Sequence, residues 1–264
     1  KKKKHQKENT LPIIIYYPID RNVSTSSPEI KSKSGLTSVF DIYTNALGGK
    51  ANFQSFFEWF RIQEDVFNEE VRENANKEIE KLFKKIRPIN YEEENKHDSK
   101  LKSELVKNFD ALIQYRIKQS EKTTSNQSKH LEFVKKAIEN FVPDYTNLRV
   151  KRSPQPHMLI DKVGVSLRLD QLSDGEKNLI ALVGDIARRL SIANPHKANP
   201  LHGNGVILID EVDLHLHPNW QRMILPRFKE TFPNCQFIVS THSPQVLSHV
   251  EPQNIFLLKN DFNR

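Results

Sequence analysis

Gln171-Leu172-Ser173-Asp174-Gly175-Glu176-Lys177 announces a helix with an unusual start. Ser173 and Glu176 form a capping box: the serine oxygen accepts an amide of the first turn, and the glutamate reaches back to the cap amide. Leu179, Leu182, Val183, Ile186 and Leu190 follow at helical spacing, up to a stop at Asn194-Pro195. Gly175 is the anomaly. Glycine weakens a helical turn, so its presence points to another group coming close to the helix N-terminus, where backbone amides can bind an anion.

Further along, Val206-Ile207-Leu208-Ile209 is an unbroken apolar run of the kind expected for a strand buried on both faces. It ends in Asp210-Glu211, and open α/β sheets bind ligands at the carboxyl ends of their strands. One carboxylate suits a hydrated magnesium ion, and its neighbour can orient or deprotonate a water. Two ordinary strand-end acids are the plain alternative, against which stands the cost of placing adjacent carboxylates there without a ligand or partner. A second apolar strand, Gln236-Phe237-Ile238-Val239, runs into Ser240-Thr241-His242 and brings an imidazole to the same edge. A satisfied core histidine is the alternative for His242.

The chain has 264 residues, suited to one domain with an insertion or to two small ones. Charged residues make up 28% and apolar ones 37%, which points to long solvated helices beside a real core. No apolar run reaches membrane-spanning length and none resembles a signal peptide. The single cysteine, Cys235, abuts a strand and reads as a buried, inert thiol. Together these features lead us to expect a cytoplasmic protein without membrane contact. A net charge of +7 permits nucleic-acid binding, but lysines spread over helical surfaces give the same total.

The chain opens on Lys1 and contains no G-x-x-x-x-G-K-[ST] phosphate loop. Gly48-Gly49-Lys50-Ala51 lacks the first glycine and the hydroxyl, and reads as a turn. Lys1–Thr10 is a charged connector, Leu11–Tyr17 a strand, and 22–38 a loop rich in serine. Phe53, Phe56, Phe60, Phe67, Val71, Leu82 and Ile86 keep helical spacing until Pro88. The aromatic cluster Phe56-Phe57-Glu58-Trp59-Phe60 reads as core or a helix seam before it reads as a base-stacking platform. After a charged stretch at 89–100, Leu101, Leu105, Phe109, Leu112 and Ile113 mark a second helix. Leu131, Val134, Ile138 and Phe141 mark a third. Heptads are not sustained, so a short helical lobe is expected over a long coiled coil.

Met158–Ile160 and Val165–Leu169 flank Asp161-Lys162-Val163-Gly164 and read as a hairpin leading into the capped helix. Pro218 starts a further helix carrying Trp220, Ile224 and Phe228, with a kink or stop expected at Pro226. A short helix after His242 and a last strand over Ile255–Leu258 complete the expected order. His215 and His217, with His202 nearby, do not make the closed set of ligands a zinc site needs.

Leu172 to Glu176, Val206 to Glu211, Asp213 to Pro218 and His242 stand in the order of the signature motif, Walker B strand, D-loop and switch histidine of ABC-type ATPases, which the chain resembles. The fold class this implies is α/β. It would be the C-terminal part of an ATPase head with an inserted helical lobe, the phosphate-loop lobe being absent from this chain. The expected divisions are residues 1–52 (rest of the N-terminal lobe), 53–145 (helical insertion) and 146–264 (C-terminal lobe). The resemblance implies ATP and Mg2+ as cofactors. Asp210 would hold the metal through a water, and Glu211 would position the attacking water. His242 would contact the γ-phosphate, Arg21 would lie near the nucleotide lobe, and a surface arginine is its alternative. Two heads would sandwich ATP, so that Ser173, Gly175 and Glu176 of one complete the site of the other, with Asp213 in the crossing D-loop.

Asp213-Leu214-His215-Leu216-His217-Pro218 departs from the transporter pattern and points to soluble RecF-like or OLD-like ATPases. Phe56 to Arg61 with Gln63-Glu64-Asp65, Asp185 to Leu190, Leu214 to Gln221 and Thr231 to Pro244 narrow the resemblance further. These stretches are similar to the PtuA-type ATPases of Septu and retron-associated anti-phage systems. That resemblance implies a homodimer or higher oligomer through ATPase heads and an HNH nuclease partner of the PtuB type. In retron versions it adds a reverse transcriptase with its RNA–DNA product. This chain alone, lacking a phosphate loop, is expected to be inactive. A RecF-like DNA-repair ATPase and a non-enzymatic scaffold with a degenerate head remain the alternatives.

Overall fold

A computed structural model of the chain describes residues 10–20, 39–47, 53–86 and 126–258. The chain divides into two units, Lys1–Arg61 with His130–Arg264, and Ile62–Lys129. Residues 53–61 and 130–145, grouped with the helical insertion on sequence, thus fall in the first unit.

The first unit is built on a parallel sheet. Strands β1 (Ile13–Tyr17), β5 (Gly205–Ile209) and β6 (Cys235–Val239) lie in the order β1-β5-β6, with Ile13 beside Gly205 and Gly205 beside Cys235. Alternation sends Ile13, Ile15, Tyr17, Ile207 and Ile209 into the core. The opposite face is not covered among the described residues. On that face Val206 and Leu208 are half-buried and Ile14 and Ile238, on the flanking strands, are 45% and 51% exposed, so full burial of Val206–Ile209 on both faces holds for one face alone.

Helix α3 (Asp174–Ala193) lies over the covered face, buried from Lys177 to Ala193. The capping box forms as the sequence implies: Ser173 Oγ accepts the Glu176 amide and Glu176 Oε2 accepts the Ser173 amide. Asn194 ends the helix, its side-chain amide donating to the Leu190 carbonyl at 3.0 Å. Helix α1 (Phe53–Ile86) brings Phe56, Trp59 and Phe60 into this core, as expected of an aromatic seam. Each such ring, fully buried, contributes about 1.5–3 kcal/mol. Helix α2 (Asn126–Phe141) adds Leu131, Val134, Ile138 and Phe141.

A second, antiparallel sheet leads into α3. It consists of β2 (Tyr145–Lys151), β3 (His157–Lys162) and β4 (Val165–Arg168). The β3–β4 hairpin turns at Val163 and Gly164, with φ of 48° and 80°, a pair suited to a two-residue turn. Strand β2 was not legible in the sequence. Asn147, at φ 55°, interrupts the pairing between Thr146 and Arg149 and throws Tyr145 and Leu148 out of simple alternation.

Helix α4 (Pro218–Thr231) connects β5 to β6 as a βαβ unit and packs Phe228 between Phe141 and Phe237, at ring distances of 4.9 and 4.5 Å. It continues through Pro226, where a kink or stop was expected. The proline leaves only the Arg222 carbonyl without its helical donor, and Arg222 faces solvent. The short helix α5 (Pro244–Leu247) follows His242 as expected. The last strand does not form: after a 3-10 turn at Pro252–Asn254, Phe256, Leu257 and Leu258 are 86%, 80% and 98% exposed, with no strand beside them among the described residues.

In the second unit, α1 carries Gln63 and Glu64 in buried positions, and the Asn68 side-chain amide donates to the Glu64 carbonyl at 2.7 Å. Arg21, the Gly48–Ala51 turn, the 89–100 stretch and the helix expected over Leu101–Ile113 lie outside the described residues. No helix among the described residues is long and apolar enough to cross a membrane.

Candidate functional site

Strand β5 ends in Asp210 and Glu211 at the carboxyl edge of the parallel sheet. Glu211 takes φ 44°, the left-handed region that a non-glycine residue enters only where its surroundings hold it. The chain then turns twice, Leu214 donating to the Glu211 carbonyl at 2.9 Å and Leu216 to that of Asp213 at 3.0 Å. His215, at φ 61°, lies in the second turn.

The loop after β6 stitches these acids down. Ser240 Oγ accepts the Glu211 amide at 2.8 Å and its hydroxyl donates to Asp210 Oδ1. The Thr241 hydroxyl donates to Asp213 Oδ1, and Thr241 Oγ1 accepts the Ser243 amide at 3.0 Å. Gln221 fastens the same loop from the other side, accepting from the Ser243 hydroxyl at 2.8 Å and donating to the Leu216 carbonyl at 2.9 Å. His242, exposed, lies within this clamp between Thr241 and Ser243. Asp210, Glu211, Asp213 and the loop carrying His242 are thus brought together at one sheet edge.

Ser173, Gly175 and Glu176 stand at the start of α3, beside the same turn. A Cβ on Gly175 would lie 2.1 Å from the His215 carbonyl oxygen. The close neighbour that Gly175 admits is therefore this chain's own backbone. Gly175→Ala is expected to displace the His215 turn and destabilise the fold by about 1–3 kcal/mol, read by chemical denaturation together with faster amide exchange at residues 213–217. Unchanged exchange there would refute the tight contact.

Glu176 is fully engaged within its own chain. Its carboxylate accepts from the Tyr145 hydroxyl at 2.5 Å and from Lys162 Nζ at 2.7 Å, besides the cap amide. Burial pushes this carboxyl up, but the hydrogen bonds from Lys162, Tyr145 and Ser173 outweigh it and hold it at about 2. Burial and then the Glu176 bond push Tyr145 up to about 12. Beside this contact a small cavity is lined by Tyr145, Glu176, His215, His217 and Trp220. His217 has a local role that the Pro218 after it signals: its Nδ1 accepts the Asn219 amide at 3.3 Å as the cap of α4.

The oxygen donors at this edge suit a hard cation. Asp210 presents a carboxylate with one oxygen tied to Ser240, and magnesium commonly takes one or two protein carboxylates with its remaining ligands from water and phosphate. Among the described residues no group of three or more His, Cys, Asp or Glu could hold a metal by itself. Cys235 donates to the Gly203 carbonyl and burial pushes its thiol up to about 12, so it stays protonated.

A family described as "AAA domain, putative AbiEii toxin, Type IV TA system" matches residues 50–248. The "Retron Ec83 probable ATPase" of Escherichia coli is 40% identical over 267 residues, covering 95% of this chain and 48% of that protein. The chain spans about half the length of the curated relatives it matches over most of its own length. "Septu protein PtuA" of Bacillus mycoides (strain KBAB4) is 38% identical over 95 residues, covering 36% of this chain and 13% of that protein. Among solved structures, an Smc head domain with an extended coiled coil, bound to the C-terminal domain of ScpA and derived from Pyrococcus furiosus, is 20% identical. It covers 79% of this chain and 50% of that one at a TM-score of 0.33. Similarity at that level leaves mechanism open.

Proposed function

Because this chain belongs to the AAA-domain family that matches residues 50–248, with relatives among the ATPases of retron and Septu systems, we propose that it is the ATPase part of an anti-phage defence complex. In this reading ATP draws two heads together, and their pairing regulates or scaffolds a partner HNH nuclease. A reverse transcriptase and its RNA–DNA product join where a retron is attached. The observation that carries the reading is the acidic turn at the end of β5, three carboxylates in four residues clamped by the loop that delivers His242.

Each residue then has a task. Asp210 holds magnesium through a water, and Glu211 receives the proton of the attacking water. His242 contacts the γ-phosphate from its exposed place within the clamp. The start of α3, with Ser173 and Gly175, offers its positive end and hydroxyl to the ATP of the facing head. Glu176 acts in this by shaping that helix end, and Asp213 by holding the D-loop that crosses to the partner. Magnesium, when bound with ATP, supplies positive charge that offsets the phosphate oxygens. Hydrolysis removes the γ-phosphate that holds the heads together, so nucleotide state becomes assembly state.

The test is native mass spectrometry of the complete protein, purified from its host through a tag, with and without ATP. Doubling of the head count with ATP and a co-purifying nuclease is the expected result. ATP binding with no change in assembly would turn the reading toward a scaffold. Salt-dependent duplex DNA binding without partners would turn it toward DNA repair.

A further inference from the structure

Ser240 bonds in turn to Ile209, Asp210, Glu211 and Val212. Its amide donates to the Ile209 carbonyl at 3.0 Å and its carbonyl accepts the Val212 amide at 3.0 Å. Between these two bonds its side chain accepts the Glu211 amide at 2.8 Å and donates to Asp210. The parallel ladder between β5 and β6 ends at Ile209 and Val239. Glu211, at φ 44°, therefore has no strand carbonyl opposite its amide, and the Ser240 oxygen takes that place. Only a short hydroxyl can accept an amide and donate to a carboxylate from one atom.

We propose that Ser240 is a positioning residue for the carboxylate pair: its hydroxyl turns Asp210 toward the cation and keeps Glu211 in its left-handed conformation. One residue later the Thr241 hydroxyl donates to Asp213 Oδ1 and fastens the rest of the turn. The inference rests on the reading of this turn as hydrolytic. It adds that the switch loop acts through two hydroxyls as well as through His242.

The test compares Ser240→Ala and Ser240→Thr in the complete protein. Three quantities are read: kcat for ATP, the Mg2+ concentration that half-saturates ATP binding at equilibrium, and the thermal midpoint. Loss of an outer-shell partner typically lowers metal affinity or activity about ten- to a hundredfold. Ser240→Ala is expected to lower kcat and raise the half-saturating Mg2+ within that range, with ATP binding in EDTA unchanged. Ser240→Thr, which keeps the hydroxyl, restores both. Overturning results are a Ser240→Ala protein within twofold of wild type in both quantities, or losses that Ser240→Thr shares in full. A wild type that binds Mg2+ and ATP but never hydrolyses it would defeat the hydrolytic reading, while the Mg2+ dependence still decides the role of Ser240.

Discussion

Glu211→Gln in the complete protein is expected to stop ATP turnover while leaving ATP-driven pairing of heads intact. The amide keeps the size and hydrogen-bonding shape of the carboxylate but cannot receive a proton. The backbone contacts that hold position 211, from its amide to Ser240 and from its carbonyl to Leu214, do not involve the side chain. The turn should therefore keep its φ of 44° and the nucleotide should still be bound. A positioned base accounts for about 10²–10⁴ in rate. Phosphate release measured at saturating ATP should fall by that factor. Native mass spectra in ATP should show the paired heads accumulating, because the step that releases them has been blocked. Turnover at the wild-type rate would remove Glu211 from the mechanism and leave Asp210 or a second acid to be sought.

The second large effect lies away from the acidic turn, at Asp185. This carboxylate is 4% exposed and accepts from the Tyr17 hydroxyl at 2.9 Å, Arg188 Nη2 at 2.6 Å and Arg189 Nε at 2.8 Å. Arg189 also donates to the Ile42 carbonyl, so one acid ties α3 to the end of β1 and to the 3-10 turn at Val39–Tyr43. Asp185→Ala strands two buried guanidinium groups. Breaking such a cluster from one side costs about 3–5 kcal/mol, against a pair that contributes little over an apolar replacement of the whole set. Chemical denaturation of the complete protein should show the loss, and a change under about 1 kcal/mol would mean that the arginines find water or other partners.

The same cluster predicts an acid limb. Burial raises the Asp185 carboxyl, but the charges of Arg188 and Arg189 outweigh it and hold the folded value well below the ordinary 3.8. A carboxyl depressed in the folded state stabilises the fold fully above its unfolded value. As the pH falls below 3.8, the unfolded chain takes up a proton that the folded one refuses, and the contribution drains away toward the folded value. Asp185→Ala should therefore flatten the loss of stability below about pH 4. An acid limb as steep as that of the wild type would assign it to other carboxyls, such as Glu176 and Asp161, both held at about 2.

The sequence by itself determined those features that a few neighbouring residues decide. Ser173 and Glu176 are three positions apart, so the cap of α3 is local chemistry, and its stop at Asn194 follows from the same range of contact. The runs at Leu11–Tyr17, Val206–Ile209 and Gln236–Val239 needed no distant partner to be read as strands, and the acids at 210 and 211 were placed at a strand end by counting. Asp161–Gly164 marked the hairpin, although Asp161 and Lys162 belong to β3 and only Val163 and Gly164 turn.

Tertiary structure alone decided which distant groups meet. Tyr17 and Asp185 are 168 positions apart, Tyr145 and Glu176 31, and Ser240 and Asp210 30. No spacing rule reaches across such intervals, because the strand order and the βαβ crossover set them. Gly175 shows the difference within one residue: the sequence said that something must come close, and only the folded chain could say that it is the carbonyl of His215. Ile255–Leu258 shows it from the other side. Its residues favour a strand, yet a strand exists only where its backbone groups are paired across a sheet, and this segment pairs with no strand among the described residues.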